Sequence, residues 1–148
     1  MKIIDLLTED QICLDIKAND KEEVIKKMVD ILDKNDRLHD KEKVLEAVFE
    51  REKTFSTGIG NGIAIPHGKS SGVKKASIVF ARSKKGIDFS SLDGEPAFMF
   101  FLIVVPDKAN DTHLKVLSQL SRKLMHKELR ESLMKAETPH EIIEILDF

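Results

Sequence analysis

Apolar residues recur with a helical spacing early in the chain. They fall at i, i+4 and i+7 and beside those positions, which gives one broad apolar stripe on an α-helix. These residues are Val24, Ile25, Met28, Val29, Ile31 and Leu32. Asp20 with Glu23 has the spacing of an N-terminal capping box, so this helix is predicted to open at Asn19-Asp20. A second helix is predicted after Asp40, with Val44, Leu45, Val48 and Phe49 turned inward.

Strand patterns lie before and after these two helices. Residues 11–16 alternate between apolar and polar, which predicts a half-buried strand. Four glycines fall within the eleven residues from Gly58 to Gly68, which predicts short strands joined by tight turns. Ala76–Ala81 reads as a further strand, and Ser91–Gly94 as a turn. The run Ala97–Val105 is apolar on both faces, which predicts a central strand covered by helices on both sides.

The last forty residues show helical patterns. A helix is predicted to start at Asp111-Thr112, with leucines at spacings of three and four at Leu114, Leu117, Leu120 and Leu124. A short helical segment follows around Leu129. Thr138 and Pro139 then mark the start of a terminal helix. Strands and helices mixed in this order predict an α/β fold with a central sheet packed between helices, and leave the strand order open.

Composition and charge limit the classes of function. A length of 148 residues fits one domain, and a net charge of −2 excludes a histone-like nucleic-acid binder. The single cysteine, Cys13, excludes an intramolecular disulfide framework and fits a reducing compartment. The N-terminus lacks a signal-peptide core, and the longest apolar run is roughly half of a membrane-spanning helix. One soluble cytoplasmic domain over residues 1–148, without membrane insertion, is therefore expected.

A run of basic residues without acids lies between residues 69 and 85. Its members are Lys69, Lys74, Lys75, Arg82, Lys84 and Lys85. Neither Trp nor Tyr occurs in the sequence to stack nucleic-acid bases between such cations. We therefore interpret the run as a solvated edge and expect no nucleic-acid partner.

Several familiar catalytic motifs are absent from the sequence. There is no GxxxxGK[ST], HExxH or GxSxG, and Gly58–Gly62 fails GxGxxG because Ile63 stands at the third glycine position. The five histidines never pair at i, i+3 or i+4, and one cysteine cannot build a zinc cluster. A metal site therefore has no support in the sequence.

The most informative histidine is His67, at the end of the glycine-rich segment. Pro66 before it fixes its own φ, and Gly68 after it has no side chain, so the imidazole is held while the space beside it stays open. Imidazole titrates at about pH 6.5, which leaves a neutral nucleophilic nitrogen at cell pH. A histidine that takes a phosphoryl group needs charge partners around it, since that catalysis is mostly positioning and electrostatics.

Three other residues are candidate partners of His67. Arg51 offers a planar fork that suits phosphate oxygens, Thr57 offers a hydroxyl, and His113 lies at a helix N-terminus, which favours an anion. Each residue also has a plain structural interpretation. His67 and Thr57 can satisfy hydrogen bonds of a turn, Arg51 can be a solvated helix end, and His113 a wet first-turn residue. Local sequence alone thus leaves both an anion or phosphoryl site and a purely structural reading open.

The segment STGIGNGIAIPHG resembles the signature of the fructose/mannitol-type enzyme IIA domain of the bacterial phosphoenolpyruvate-dependent sugar phosphotransferase system. The likeness extends to Arg51-Glu52, to Ser91–Ala97 and to Asp111–Leu114, and so covers essentially the whole chain as one enzyme IIA domain. It implies a mixed α/β sandwich, in which a mixed central β-sheet is sandwiched by helices. It also implies that His67 is the phosphorylated residue.

The resemblance implies a role for each candidate residue. His67 would receive a phosphoryl group on Nε2 from the phosphocarrier protein HPr. It would pass this group to a cysteine of the IIB domain, which works with the membrane component IIC and phosphorylates the incoming sugar. Arg51 and His113 match flanking positions, as charge clamp and orienting partner, and Thr57 matches a position near the phosphate. No metal or nucleotide cofactor is implied, because the N–P bond itself carries the energy.

The resemblance also covers two biological roles. The run Ser83–Phe89 looks more like fructose-type members, which favours sugar uptake; the alternative is a regulatory, nitrogen-type IIA protein whose phosphorylation state controls partner binding. Asn61 stands where some members carry an acid. A partner protein would cover a shallow apolar surface beside His67. Candidates for its rim, some of which must face the core, are Ile59, Ile63 and Ile65.

Overall fold

The chain folds into a six-stranded sheet with helices on both faces. A computed structural model describes residues 1–109 and 111–148. The helices are α1 (Lys21–Lys34), α2 (Lys41–Thr54), α3 (Asp111–Lys123), α4 (Lys127–Lys135) and α5 (Pro139–Ile145). The strands are β1 (Ile12–Cys13), β2 (Gly58–Gly60), β3 (Ile63–Ala64), β4 (His67–Ser70), β5 (Ser77–Ile87) and β6 (Ala97–Pro106). The α/β class, with a mixed central sheet between helices, is confirmed.

Strand β6 is the centre of the sheet. The order is β1-β5-β6-β3-β2, and β4 also pairs with β6. Strand β5 runs antiparallel to β6 along one side, whereas β3 and β4 follow one another in parallel along the other side. Within the described residues β4 has no second strand partner, so it forms an edge of the sheet.

Two apolar layers hold the helices on this sheet. Helices α1 and α2 cover one face, which presents Val79, Ala81, Phe100 and Leu102. Helices α3, α4 and α5 cover the other face, which presents Ile78, Phe80, Phe101 and Ile103. Because successive side chains of a strand point to opposite faces, β6 must be apolar at nearly every position to serve both layers. None of the described helices has the length and apolar character needed to cross a membrane.

The helix starts predicted from capping residues are confirmed. The backbone amides of Glu23, Glu42, Lys43 and Glu141 donate to the side chains of Asp20, Asp40 and Thr138 at 2.8 to 3.3 Å. Such bonds satisfy first-turn amides that have no partner inside the helix. Helix α3 starts at Asp111 as predicted, but the side chains of Asp111, Thr112 and Leu114, with all of Asn110, lie outside the described residues.

Two strands differ in length from their predictions. The strand predicted over residues 11–16 is regular only at Ile12–Cys13, and beyond it the backbone amide of Ile16 donates to the carbonyl oxygen of Arg82 at 2.8 Å. Gln11 is fully buried there, because its side-chain amide donates to the carbonyl oxygens of Leu6 at 2.9 Å and Ile78 at 2.7 Å. Strand β5 continues past Ala81 to Ile87. Its polar end remains a strand because it pairs with β6, although the register is irregular between Arg82 and Ile87.

The basic residues between 69 and 85 do not form one solvated edge. The guanidinium of Arg82 donates to the carbonyl oxygens of Leu133, Met134 and Ala136 at 2.9, 3.2 and 2.7 Å. These carbonyls lie at the C-terminal end of α4, where backbone oxygens lack helical partners and attract cations. Arg82 therefore fastens α4 to the sheet, and only part of the run is a solvated surface.

Candidate functional site

A cavity of about 270 Å³ opens beside the edge strand β4. Its polar side chains are Arg51, His67, Lys69 and His113. Its apolar wall contains Ile103, Val105 and Leu117. The cavity lies between the end of α2 and the beginning of α3, so the fold brings together three predicted site residues from three separate segments.

The imidazole of His67 is anchored through its Nδ1 atom. Nδ1 lies 2.9 Å from the carbonyl oxygen of Ile65. Because a carbonyl oxygen can only accept a hydrogen bond, the ring proton is assigned to Nδ1, which donates it. In the neutral ring the lone pair is then on Nε2. This nitrogen is the one with nucleophilic capacity.

Gly68 fixes the side of the sheet on which His67 works. A Cβ atom on Gly68 would lie 3.0 Å from Val48 Cγ2 and 3.1 Å from the Val48 backbone nitrogen. Strand β4 thus packs directly against the backbone of α2, and a side chain at this position would force Val48 to shift by a few tenths of an ångström. Since side chains alternate along a strand, His67 points to the opposite face, toward α3.

Arg51 lies in the last turn of α2 and is held there by the chain that follows. Its Nη1 atom donates to the carbonyl oxygen of Phe55 at 2.7 Å. A guanidinium carries five N–H donors, so most of them remain for a ligand in the cavity. The arginine is therefore both positioned by the protein and able to bind an anion.

His113 lies in the first turn of α3 and is partly buried. Its Nδ1 atom is buried without a hydrogen-bond partner among the described residues. Unsatisfied buried polar atoms are uncommon and call for a physical reason. A group bound beside His67, close to the N-terminus of a helix that favours anions, would supply that partner.

Thr57 is the predicted site residue that the structure does not bring to the cavity. It is buried, and its hydroxyl donates to Glu52 Oε1 at 2.5 Å. Its backbone amide donates to Glu52 Oε2 at 2.9 Å, and Lys21 Nζ lies 2.9 Å from the same oxygen. Thr57 therefore fastens the segment after α2 to a carboxylate next to Arg51 in the sequence. Thr57 is not among the residues that line the cavity.

Replacing Glu52 by alanine is expected to lower the free energy of unfolding by about 2–4 kcal/mol. The change leaves the amide and hydroxyl of Thr57 and the ammonium of Lys21 without their carboxylate. Urea unfolding measures the effect. Glu50→Ala is the matched control on the same helix, because that exposed residue has only a 3.9 Å contact with Lys53 and should change stability by less than about 0.5 kcal/mol. Equal losses in the two variants would contradict the buried network.

The apolar rim is formed by other residues than the isoleucines of the glycine-rich segment. Ile63 and Ile65 are buried in the core beneath α3 to α5, and the exposed Ile59 does not line the cavity. Ile103 and Val105 of β6 and Leu117 of α3 take that place. The expectation for Ile59, Ile63 and Ile65 is therefore wrong for this cavity, because strand pairing turns them elsewhere.

Asn61 lies far from His67 along the sheet. Ile63 pairs with Met99, and His67 pairs with Ile103. These two partners are four residues apart on β6, so Ile63 and His67 are separated by roughly 13 Å along the sheet. Asn61 precedes Ile63 in a turn with a φ of 57°, where its backbone amide donates to an oxygen of Asp93 at 3.1 Å. The position serves the turn.

Sequence reasoning missed the cavity residues Lys69, Ile103 and Val105. Lys69 carries a signal that was available, since period-two alternation from His67 puts it on the same face of the strand. The sequence contains no comparable signal for Ile103 and Val105, whose place depends on pairing with β4. Within the described part of the chain, no group of three His, Cys, Asp or Glu side chains is arranged to hold a metal ion.

Comparison with known families gives the class of this protein. Residues 5–148 match the family model described as "Phosphoenolpyruvate-dependent sugar phosphotransferase system, EIIA 2". The chain belongs to this family of phosphotransfer components, as its resemblance predicted.

Within the family, fructose-specific proteins are among the most similar relatives. The chain is 48% identical over 147 residues to the "PTS system fructose-specific EIIABC component" of Bacillus subtilis (strain 168), covering 99% of this chain and 23% of that protein. It is 42% identical over 126 residues to the "PTS system fructose-specific EIIA component" of Haloferax volcanii, covering 85% of this chain and 82% of that protein. The chain thus spans about a quarter of the first relative and most of the second.

Solved structures share the same fold. The nitrogen regulatory protein IIA-Ntr from Neisseria meningitidis superposes with a TM-score of 0.90 at 38% identity, covering 97% of this chain and 98% of that one. Enzyme IIA-mannitol of Escherichia coli, solved in complex with phosphorylated enzyme IIB-mannitol, gives a TM-score of 0.81 at 27% identity, covering 95% and 98%.

Proposed function

We propose that this chain is a phosphocarrier that accepts a phosphoryl group from phospho-HPr on Nε2 of His67 and passes it to a cysteine of a IIB domain. The observation that carries the proposal is the hydrogen bond from Nδ1 to Ile65, which leaves the Nε2 lone pair free beside Arg51. The fructose-specific names of two relatives favour coupled uptake and phosphorylation of fructose. A relative solved together with phosphorylated IIB supports IIB as the acceptor.

The proposed transfer needs no group beyond the two proteins. The Nε2 lone pair of His67 attacks the phosphorus of the donor phosphohistidine. The donor N–P bond breaks, and its electron pair stays on the donor imidazole. In the new phosphoimidazolium of His67, Nδ1 still donates its hydrogen bond to the carbonyl oxygen of Ile65. This bond stabilises the positive ring. In the second step a IIB thiolate attacks the phosphorus, and the electron pair of the N–P bond returns to Nε2.

The surrounding residues divide the remaining work. Arg51 clamps the phosphoryl oxygens and lowers the cost of the charge that moves between the proteins. His113 orients the phosphoryl group through its ring. Thr57 supports the site at a distance, because its bonds to Glu52 hold the segment whose Phe55 carbonyl anchors Arg51. The apolar wall is covered by HPr or IIB in the complex, which excludes water from the N–P bond.

The unit of this function is one enzyme IIA domain spanning residues 1–148. Its proposed partners are HPr and the IIB domain of a permease whose IIC component lies in the membrane. With HPr as the proposed donor, we propose that the reaction takes place in the cytoplasm. Since the reactive N–P bond carries the energy, the proposed reaction requires neither a metal nor a nucleotide.

Intact-mass measurement after incubation with phosphoenolpyruvate, enzyme I and HPr tests the proposal. We expect a gain of one phosphoryl group, stable in base and lost in mild acid, as for a phosphoramidate bond. Nitrogen-resolved NMR of the product should show phosphorus on Nε2 with Nδ1 still protonated. No gain with the native HPr, or phosphorus on Nδ1, would contradict the proposed mechanism.

A regulatory role is the second candidate function. It is favoured by the TM-score of 0.90 with a nitrogen regulatory IIA protein at 38% identity. Both roles use His67, so acceptance from HPr does not separate them. Transfer from the phosphorylated chain to a purified IIB domain does: formation of phosphocysteine on IIB supports transport, whereas retention of the phosphoryl group supports regulation. Neighbouring IIB and IIC genes would also favour transport.

A further inference from the structure

We propose that the ammonium group of Lys69 is a second cation of this site and binds the phosphoryl group carried by His67. The inference rests on the proposed function and adds a residue to the site that was predicted from the sequence. Lys69 lines the same cavity as His67 and Arg51.

The strand geometry places Lys69 on the working face of β4. His67 pairs with Ile103 and Lys69 with Val105, so the strand is regular between the two residues. Residues two apart in a strand share a face and lie about 7 Å apart. A lysine side chain and a phosphoryl group extending from the neighbouring ring together span that distance.

The close contact of Gly68 with α2 favours the cavity face for Lys69. A Cβ atom on Gly68 would lie only 3.0 to 3.3 Å from atoms of Val48 and Ala47, so it would force α2 to shift by a few tenths of an ångström. Rotation of the strand to turn the long side chain of Lys69 toward α2 is therefore disfavoured. The same contact favours the directions of the Lys69 and His67 side chains.

The charge of Lys69 is available to a ligand. Lys69 is exposed, and among the described side chains it forms no ion pair. Lys74, five residues on, has its ammonium 2.9 Å from a carboxylate oxygen of Asp36. The described residues that line the cavity include two full cations and no carboxylate. An unpaired cation on an apolar wall stabilises an anion more strongly once a partner protein excludes water.

The two cations would act differently on the phosphoryl group. Arg51 is fixed by Phe55 and offers a planar fork to two oxygens. Lys69 is a mobile point charge on a long stem, so it can follow the phosphorus as it moves between His67 and the partner. Lys69 therefore contributes both to the rate of transfer from HPr to His67 and to the rate of transfer from His67 to IIB.

The test compares Lys69→Gln and Lys69→Arg with Lys75→Gln as the matched control. Lys75 is exposed, and it does not line the cavity. We expect Lys69→Gln to lower the maximal rate of transfer from phospho-HPr by about 10–100-fold. Lys69→Arg should keep the rate within about 5-fold, and Lys75→Gln should leave it unchanged. Equal loss in Lys69→Gln and Lys75→Gln would overturn the inference.

A second measurement separates phosphoryl binding from docking of HPr. Each variant is phosphorylated chemically with phosphoramidate, and the ³¹P shift of the phosphohistidine is titrated with pH. A cation beside the phosphoryl group favours its dianion, so Lys69→Gln should raise the pKa of the phosphoryl group and Lys75→Gln should not. If Lys69→Gln raises only the half-saturating concentration of HPr and leaves this titration unchanged, Lys69 is a docking residue and the inference fails. Because phosphoramidate replaces HPr, the outcome does not depend on the proposed donor.

Discussion

Replacing His67 by alanine is expected to abolish phosphoryl acceptance, with a fall in rate of at least about 10⁴-fold. The variant loses the Nε2 lone pair that forms the N–P bond, and neither Arg51 nor His113 can replace it at that position. The fold should survive, because His67 is only partly buried and its side-chain bond goes to one carbonyl oxygen. Intact mass after incubation with phosphoenolpyruvate, enzyme I and HPr measures the loss.

His39→Ala serves as the matched control for this experiment. His39 is exposed in the connection between α1 and α2 and does not line the cavity. The His39→Ala variant should accept one phosphoryl group at the rate of the unmodified chain. Uptake of phosphate by His67→Ala would show that another residue is the nucleophile. Loss of uptake in both variants would show that the assay reports on something other than the site.

Replacing Arg51 by glutamine is expected to slow transfer from phospho-HPr by about 10²–10³-fold. The loss should fall mainly on the maximal rate, because the guanidinium acts on the charge of the moving phosphoryl group. Arg51→Lys should recover part of the rate, since it keeps the charge but loses the planar fork and the bond to Phe55. Rapid-quench kinetics over a range of HPr concentrations give both parameters.

Arg122→Gln is the control for the loss of one positive charge. Arg122 is exposed in the last turn of α3, roughly 13 Å along the helix from His113. The Arg122→Gln substitution should leave the maximal rate of transfer unchanged. If Arg51→Gln changes only the half-saturating HPr concentration, Arg51 is a docking residue and the charge clamp is wrong. Thermal melting of each variant checks that the fold is intact.

The helices were predictable because their signals are local. The apolar stripe of α1 and the capping acceptors Asp20, Asp40 and Thr138 lie within one or two turns of the backbone that they stabilise. The doubly apolar run Ala97–Val105 likewise identified β6 as a buried central strand. A strand that is buried on both faces is apolar at successive positions, and this pattern is visible in the sequence itself.

The strand ends were less predictable because their limits depend on partners. Polarity at Gln11 indicates an exposed position, yet its amide is satisfied by the carbonyl oxygens of Leu6 and Ile78. Ile78 is distant from Gln11 in the sequence, so no local pattern can predict the hydrogen bond between them. The polar end of β5 similarly reads as a loop until β6 pairs with it.

The sequence by itself determined the fold class, the starts of α1, α2, α3 and α5 and the choice of His67, Arg51 and His113 as site candidates. The tertiary structure alone decided that Thr57 lies in a buried network with Glu52, and that Ile103 and Val105 form the apolar wall. It also showed that Lys69, which alternation along the strand puts on the same face as His67, lines the same cavity. Local patterns specify which residues are buried or capped. The neighbours across a cavity follow from strand register and helix packing, which are set by contacts between distant segments.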